Sequence, residues 1–243
     1  MSKILTGRAA VDYVLTRLRD AGVYNGEIDG SLGPLGQDGL DLLIAQAHAG
    51  QEDAALPPVA PVNGFDPPMA WGAKVSRTFR DRVRWMAEDL GLPVSSGADD
   101  LMASMAWESN NTFSPSIANM AGSGATGLIQ FMPKTAIGLG TTTAALAKMT
   151  AEDQLNYVYK YFRPYRGKLK NLGDVYMAIL WPAGVGQPDS FVLWEKGSRP
   201  TTYRQNAGLD VNKDGSITRA EAIAKVSARR AEGLRAGNVW AGA

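Results

Sequence analysis

The stretch from residue 106 to residue 136 reads AWESNNTFSPSIANMAGSGATGLIQFMPKTA. Leu101, Met105 and Glu108 are spaced i, i+4, i+7, which puts Glu108 on the apolar face of a helix. Two asparagines and a proline follow, so the helix is predicted to end near Glu108. A carboxyl group on an apolar surface loses hydration, which raises its pKa and suits a general acid. By spacing alone, an ion-paired glutamate at a helix end is the more ordinary interpretation.

Three motifs in this stretch change that balance. Glu108-Ser109 leads to Phe113-Ser114-Pro115, and then come GATGLIQ at 124–130 and PKTA at 133–136, all within 29 residues. This order resembles the catalytic core of the soluble lytic transglycosylases, which are related to goose-type lysozymes. The resemblance implies that Glu108 is the general acid and then the general base, and that Gln130 hydrogen-bonds the sugar or its acetamido group. We also expect Ser109 and Asn119 to contact the substrate.

The same family has a later Ala-Tyr-Asn-Ala-Gly motif, for which the best counterpart is LWPAGVG at 180–186. Trp181 replaces the tyrosine, whose hydroxyl is thought to help place the acetamido group. Trp181 is equally suited to stacking on a sugar and to packing in the core, because an indole offers a flat apolar face. Tyr157 or Tyr161, on the preceding helix, is a candidate for the missing hydroxyl, and we take Tyr161 as a substrate-binding residue.

The reaction type is predicted from the carboxylates around Glu108. Glycosidases with two catalytic carboxylates place them about 5 to 9.5 Å apart. Asp99 and Asp100 lie near the opposite end of the same helix, about 12 Å away at 1.5 Å per residue. A substrate-assisted route is therefore favoured, in which the N-acetyl oxygen attacks and Glu108 deprotonates the C6 hydroxyl to give a 1,6-anhydro sugar. Hydrolysis by water is the alternative.

A small first unit is predicted over residues 1–52. An amphipathic helix with Leu15 on its apolar face leads to the turn-rich stretch YNGEIDGSLG at 24–33. This pattern resembles the small peptidoglycan-binding domain of many wall hydrolases, and the resemblance implies wall contacts by Tyr24, Asn25 and Asp29. A helical appendage with a generic turn is the alternative.

The rest of the chain is predicted to be a linker and a larger helical domain. Residues 53–70 contain five prolines, which favour a semi-rigid linker. From residue 71 to 243 the pattern is mostly helical, with Ser76 capping one helix and Thr150 another. The predicted fold class is therefore mostly α: a small three-helix peptidoglycan-binding domain followed by a larger lysozyme-like α-helical domain.

A second motif, DVNKDGSITRAE at 210–221, fits the twelve-residue EF-hand loop. Gly215 suits the sharp turn, and Thr218 suits the ninth position. The segment before the loop, Tyr203–Leu209, is predicted to be a poor helix because it contains Gly208. We expect a solitary loop that holds a structural Ca²⁺, and no cofactor for catalysis; an acidic turn of weak cation affinity is the alternative. The expected ligands are Asp210, Asn212, Asp214, Ser216 and Glu221.

Composition narrows the class of partner. The net charge is +1, which disfavours a nucleic-acid partner, and the absence of cysteine excludes disulfides and thiolate chemistry. The single histidine, His48, cannot build a histidine-rich zinc site. No apolar run is long enough to span a membrane, and no ordinary secretory signal is present. We therefore expect a monomer made in a cytoplasm that acts on peptidoglycan glycan strands after a membrane lesion.

The order of binder and catalyst resembles the endolysins of phages that infect Gram-negative bacteria. The resemblance implies cleavage of the bond between N-acetylmuramic acid and N-acetylglucosamine. A non-catalytic wall-binding or virion structural protein that has kept a lysozyme fold is the alternative from another class.

Overall fold

The computed structural model describes residues 66–120 and 122–242, together with Asp12, Leu15 and Thr16. The described part of the chain is mostly helical and carries a single two-stranded sheet. Its helices are α1 (Arg77–Asp89), α2 (Gly97–Glu108), α3 (Pro133–Gly138), α4 (Thr143–Leu146), α5 (Ala151–Phe162), α6 (Leu172–Leu180), α7 (Pro200–Asn206) and α8 (Arg219–Gly233). Its strands are β1 (Val192–Glu195) and β2 (Ser216–Thr218), which pair antiparallel.

Most of the predicted first unit and linker lies outside the described residues, including Tyr24, Asn25, Asp29 and His48. Leu15 is helical and buried, as its place on a predicted apolar face requires.

The two predicted helix caps are confirmed. The Ser76 hydroxyl accepts a hydrogen bond from the Phe79 backbone N–H at 3.1 Å, and Thr150 accepts one from Asp153 at 3.0 Å. Each cap satisfies one of the backbone donors that have no partner within the first helical turn. The predicted apolar faces behind the caps are buried: Phe79, Val83, Met86 and Leu90 after Ser76, and Leu155, Val158 and Phe162 after Thr150.

Helix α2 forms the centre of the helical body. All of its residues from Asp100 to Ala106 are buried, because α1, α6 and α8 pack around it. A helix that is covered on every side belongs to the core of its domain. It ends at Glu108, with Ser109 at its C-cap, as the sequence predicts.

Residues 66–70, the last five of the predicted linker, pack against the helical body. Asp66 is 1% exposed and forms ion pairs with Arg80 and Arg84 of α1. Met69 is also buried and pairs through its backbone with Trp240, near the other end of the described chain. The Asp66 carboxylate can be buried here because its paired arginines lie on α1.

A second apolar cluster lies beside the main core. It is formed mainly by α6, α8 and the β1–β2 sheet, and Tyr176, Met177 and Trp194 are among its buried members. The prediction of a poor helix before the acidic loop is wrong in part. Helix α7 forms over Pro200–Asn206 and is followed by a 3₁₀ turn at Ala207–Leu209 that contains the glycine. Helix α7 therefore ends before Gly208 instead of being prevented by it.

Candidate active site

Glu108 is half-buried at the end of the central helix. Burial of its carboxyl group raises the pKa from an ordinary value of 4.5 to about 8. Within the described residues, its carboxyl group takes part in no ion pair and no hydrogen bond. The more ordinary interpretation is a glutamate ion-paired at a helix end, but no cation of the described residues pairs with Glu108. A carboxyl group in these surroundings stays protonated at neutral pH.

The chain after Glu108 is held in an unusual conformation. Asn110, Asn111 and Phe113 have positive φ angles of 49°, 66° and 49°. Such angles are costly for residues other than glycine and persist only where surrounding contacts impose them. Ser109 supplies one of these contacts, since its hydroxyl accepts a hydrogen bond from the Phe113 backbone N–H at 3.0 Å.

Ser109, for which we expect a substrate contact, is held within its own loop. Ser109 is completely buried, and its hydroxyl is engaged within its own loop. Ser109 therefore shapes the loop that follows Glu108. A contact between Ser109 and a bound sugar stays a prediction. Asn119, by contrast, is exposed, and its backbone N–H donates to Ala125.

The glycine-rich segment, residues 117–131, folds back on itself. Thr126 forms backbone bridges with Ala118 and with Phe131, and Gln130 has a positive φ of 52°. The side-chain amide of Gln130 donates to the carbonyls of Ile117 and Gly127 at 3.2 and 3.1 Å. Through its amide nitrogen, Gln130 thus links the backbone at Ile117 to the backbone at Gly127. A sugar contact by Gln130 would use its amide oxygen.

Gln154 of α5 hydrogen-bonds the backbone of the same segment, and sequence analysis missed this residue. Its amide oxygen accepts from the Leu128 N–H at 2.7 Å, and its amide nitrogen donates to Pro115 and Leu146 at 3.0 Å each. Gln154 is completely buried. A Cβ added at Gly127 would lie 2.3 Å from the Gln154 amide oxygen, so this glycine is required for close approach as well as for its φ of +86°.

Tyr176 is a second residue that sequence analysis missed. It is buried on α6, and burial together with the nearby Glu108 carboxyl raises the pKa of its hydroxyl. Tyr161, the tyrosine predicted for the site, instead donates its hydroxyl to the Ala178 carbonyl at 2.7 Å and ties α5 to α6. The hydroxyl of Tyr176 thus interacts electrostatically with the Glu108 carboxyl group. In the sequence, Tyr176 is marked only by its position in the apolar pattern of α6, and ordinary core residues share that pattern.

Trp181 is half-buried at the C-terminal end of α6. Its ring meets Trp194 edge-to-face, with centroids 5.5 Å apart, and the Arg199 guanidinium lies 5.4 Å from its centroid. Trp181 therefore packs on the second cluster while part of it stays exposed, and its stacking on a sugar stays a prediction.

The turn that follows Trp181 is fixed by a buried ion pair. Arg219, the first residue of α8, pairs with Asp174 at 2.9 Å and donates to the Gly184 carbonyl at 3.1 Å. Asp174 also accepts from the Gly186 N–H at 2.9 Å. Both ends of the turn are thus joined to the same pair, and α8 and α6 are held against it.

Asp99 and Asp100 are engaged away from Glu108. Asp99 accepts a hydrogen bond from the Ala70 N–H, and Asp100 lies 3.3 Å from Arg230. Burial raises the pKa of Asp100 to about 6. Neither carboxylate is placed as a partner for Glu108, in agreement with the distance expected along one helix.

The loop at 210–221 has a regular internal structure. Gly215 has a φ of +89°, and its N–H donates to Asp210 at 3.0 Å. Glu221 and Thr218 form a capping box at the start of α8. One carboxylate oxygen of Asp210 is buried without a hydrogen-bond partner. Among residues 66–120 and 122–242, however, no group of three or more His, Cys, Asp or Glu side chains is arranged to hold a metal ion.

No helix in the described part of the chain is long and apolar enough to cross a membrane. No protein-family model matches the sequence, and no curated protein matches it significantly.

Proposed function

We propose that this chain cleaves the β-1,4 bond between N-acetylmuramic acid and N-acetylglucosamine in peptidoglycan, with Glu108 as its acid and base. The observation that carries the proposal is the desolvated carboxyl group of Glu108, whose pKa is raised to about 8. An acid of this kind protonates the glycosidic oxygen as the bond breaks. The three motifs around Glu108, which resemble those of lytic transglycosylases and goose-type lysozymes, support the same chemistry.

The transglycosylase route fits the surroundings of Glu108 better than a two-carboxylate route. Burial alone raises the pKa of Glu108, and Asp99 and Asp100 have other partners. The substrate's acetamido oxygen would displace the leaving group while Glu108 gives its proton to the departing oxygen. Glu108, then ionised, would take the C6 hydroxyl proton as O6 attacks the anomeric carbon and releases the acetamido group. The product is a 1,6-anhydro sugar, and no water is consumed.

Mass spectrometry of digested peptidoglycan tests both the function and the route. Products ending in 1,6-anhydro-muramic acid, about 18 Da lighter than hydrolysed ones, would support the transglycosylase. Products with a reducing end would mean a lysozyme that uses water at the same site.

Replacement of the acid tests the site assignment. We expect Glu108→Gln to abolish cleavage, since glutamine has no proton to give and cannot take one. Glu88→Gln, at an exposed position of α1, is the matched control and should cleave normally. Normal cleavage by Glu108→Gln would refute the site, and absence of cleavage by the unmodified chain would favour a non-catalytic wall-binding protein.

The proposed biological role is that of a phage endolysin, which reaches peptidoglycan after a lesion in the membrane. This role rests on the order of the predicted domains. We expect the purified chain to lyse cells whose outer membrane has been permeabilised. Intact cells should resist it.

We propose in addition that the 210–221 loop binds Ca²⁺ as a structural ion. The donor set of Asp210, Asn212, Asp214, the Ser216 carbonyl and Glu221 offers the oxygen ligands that Ca²⁺ prefers. The buried, unpartnered oxygen of Asp210 supports the proposal, because such an atom is costly without a cation or a donor. When bound, the ion would supply a fixed positive charge in this loop.

Calorimetric titration of the chain with Ca²⁺ tests the loop directly. We expect heat of binding and a rise in the melting temperature that Asp210→Asn removes. Equal responses of the two proteins would leave only nonspecific cation binding.

A further inference from the structure

Arg199 lies against the ring of Trp181 with its charge exposed. The guanidinium carbon is 5.4 Å from the ring centroid, within the range of a cation–π contact. One of its terminal nitrogens donates to the Leu193 carbonyl at 3.3 Å, which is a weak bond to β1. Two contacts from different elements therefore hold the plane of the guanidinium group.

No carboxylate of the described residues neutralises Arg199. The nearest acid in sequence, Glu195, accepts a hydrogen bond from the Ser198 hydroxyl at 3.2 Å instead. Arg219, which also faces this part of the molecule, is by contrast paired with two aspartates. The Nε and second terminal nitrogen of Arg199 thus keep N–H donors in the fork that matches a carboxylate.

The Arg199–Trp181 pair borders the same apolar cluster as the helix end that carries Glu108. Trp107, next to Glu108, and Trp181 both pack on the cluster around Tyr176 and Trp194. Trp181 also follows the last residue of α6, and α6 packs on α2. The residue before Glu108 and the ring beside Arg199 thus pack on one apolar cluster.

We propose that Arg199, supported by Trp181, is a specificity-determining residue that binds a carboxylate borne by the glycan substrate. This inference rests on the proposed function. In peptidoglycan the carboxylates belong to the lactyl–peptide substituents of muramic acid, while polymers of N-acetylglucosamine carry none. The pair would thus favour peptide-bearing glycan strands over neutral ones.

Calorimetric binding to soluble peptidoglycan fragments tests the inference. The full chain with Glu108→Gln is titrated with peptide-bearing glycan oligomers, and then with the same oligomers after their carboxyl groups have been converted to amides. We expect amidation to weaken binding about tenfold, as loss of a charged hydrogen-bonded pair at a surface does. Adding Arg199→Gln should weaken binding of the carboxylated oligomer by a similar factor and leave binding of the amidated oligomer unchanged.

Arg204→Gln is the control, because Arg204 is exposed on the neighbouring helix α7 and its guanidinium contacts only the Pro200 carbonyl among the described residues. It should bind both oligomers as the parent does. Equal affinity of the parent for both oligomers, or an equal loss on both with Arg199→Gln, would overturn the inference. If the chain with Glu108 intact still cleaves both oligomers, the proposed function survives that failure; if it neither binds nor cleaves either, both fail.

Discussion

Glu108 combines an ionisable group with surroundings that oppose its charge. It ends a helix, where the macrodipole is negative and disfavours an anion, and the described residues provide no cation beside it. Such an arrangement destabilises the folded protein whenever the carboxyl group ionises. It also keeps the proton on the carboxyl group at neutral pH, where the proposed cleavage would need it. The same property that suits catalysis therefore carries a cost in stability.

This cost predicts a pH-dependent difference between the parent and Glu108→Gln. The folded pKa of about 8 lies above the ordinary value of 4.5, so the contribution of Glu108 to stability is fully present below pH 4.5 and is lost as pH rises toward 8. We expect Glu108→Gln to gain stability over the parent across this window, with an upper limit of about 4 kcal/mol. Urea unfolding at pH 4 and pH 8 measures the difference, and a difference that is the same at both pH values would contradict it.

Gln154 is predicted to be the residue on which the glycine-rich segment depends most. Gln154→Met keeps the volume but leaves the Leu128 N–H and the Pro115 carbonyl without their partner, whereas the Leu146 carbonyl keeps its bond from the Met149 N–H. Buried groups left in this way cost about 1–3 kcal/mol each, although local shifts recover part of it. We expect the melting temperature and the cleavage rate both to fall. Gln205→Met, at an exposed position, should change neither, and an unaltered Gln154→Met would refute this role.

At the scale of elements, the sequence predicts well those features that neighbouring residues determine, such as helix caps and helix ends. The caps at Ser76 and Thr150 and the end of α2 at Glu108 depend on side chains within one or two turns. Gln154 and Arg199 could not be found in this way, because their partners lie many residues away. The burial of Asp66 could not be predicted for the same reason, since it is held by arginines of a later helix.

The Arg219–Asp174 ion pair joins α6, α8 and the turn after Trp181, and it predicts a non-additive effect of mutations. Arg219→Met removes the cation beside buried Asp174 and should cost about 3–5 kcal/mol. Adding Asp174→Asn removes the orphaned charge, so the double variant should be more stable than the sum of the two single changes predicts. A double-mutant cycle of urea midpoints measures the coupling. Strict additivity would show that the pair does not hold the turn.

At the scale of the whole molecule, the two ends of the described body are joined. The Met69 and Trp240 backbones exchange hydrogen bonds at 3.0 and 2.9 Å, and the Arg80 guanidinium lies 4.0 Å from the Trp240 ring centroid. The Trp71 indole N–H donates to the Arg229 carbonyl of α8 at 2.9 Å. These contacts close the described body around α2.

This closure predicts that residues 66–243 fold without the preceding 65 residues. The described core and the Met69–Trp240 contact are built from residues of that range, so we expect a cooperative thermal transition close to that of the full chain. If residues 1–52 bind the wall as their sequence indicates, the shorter chain should cleave soluble glycan oligomers normally and lose retention on insoluble peptidoglycan. Circular dichroism and a sedimentation assay with whole sacculi measure the two effects. A noncooperative transition would place part of the body's stability in the first unit, whereas unchanged retention would assign wall binding to the helical body itself.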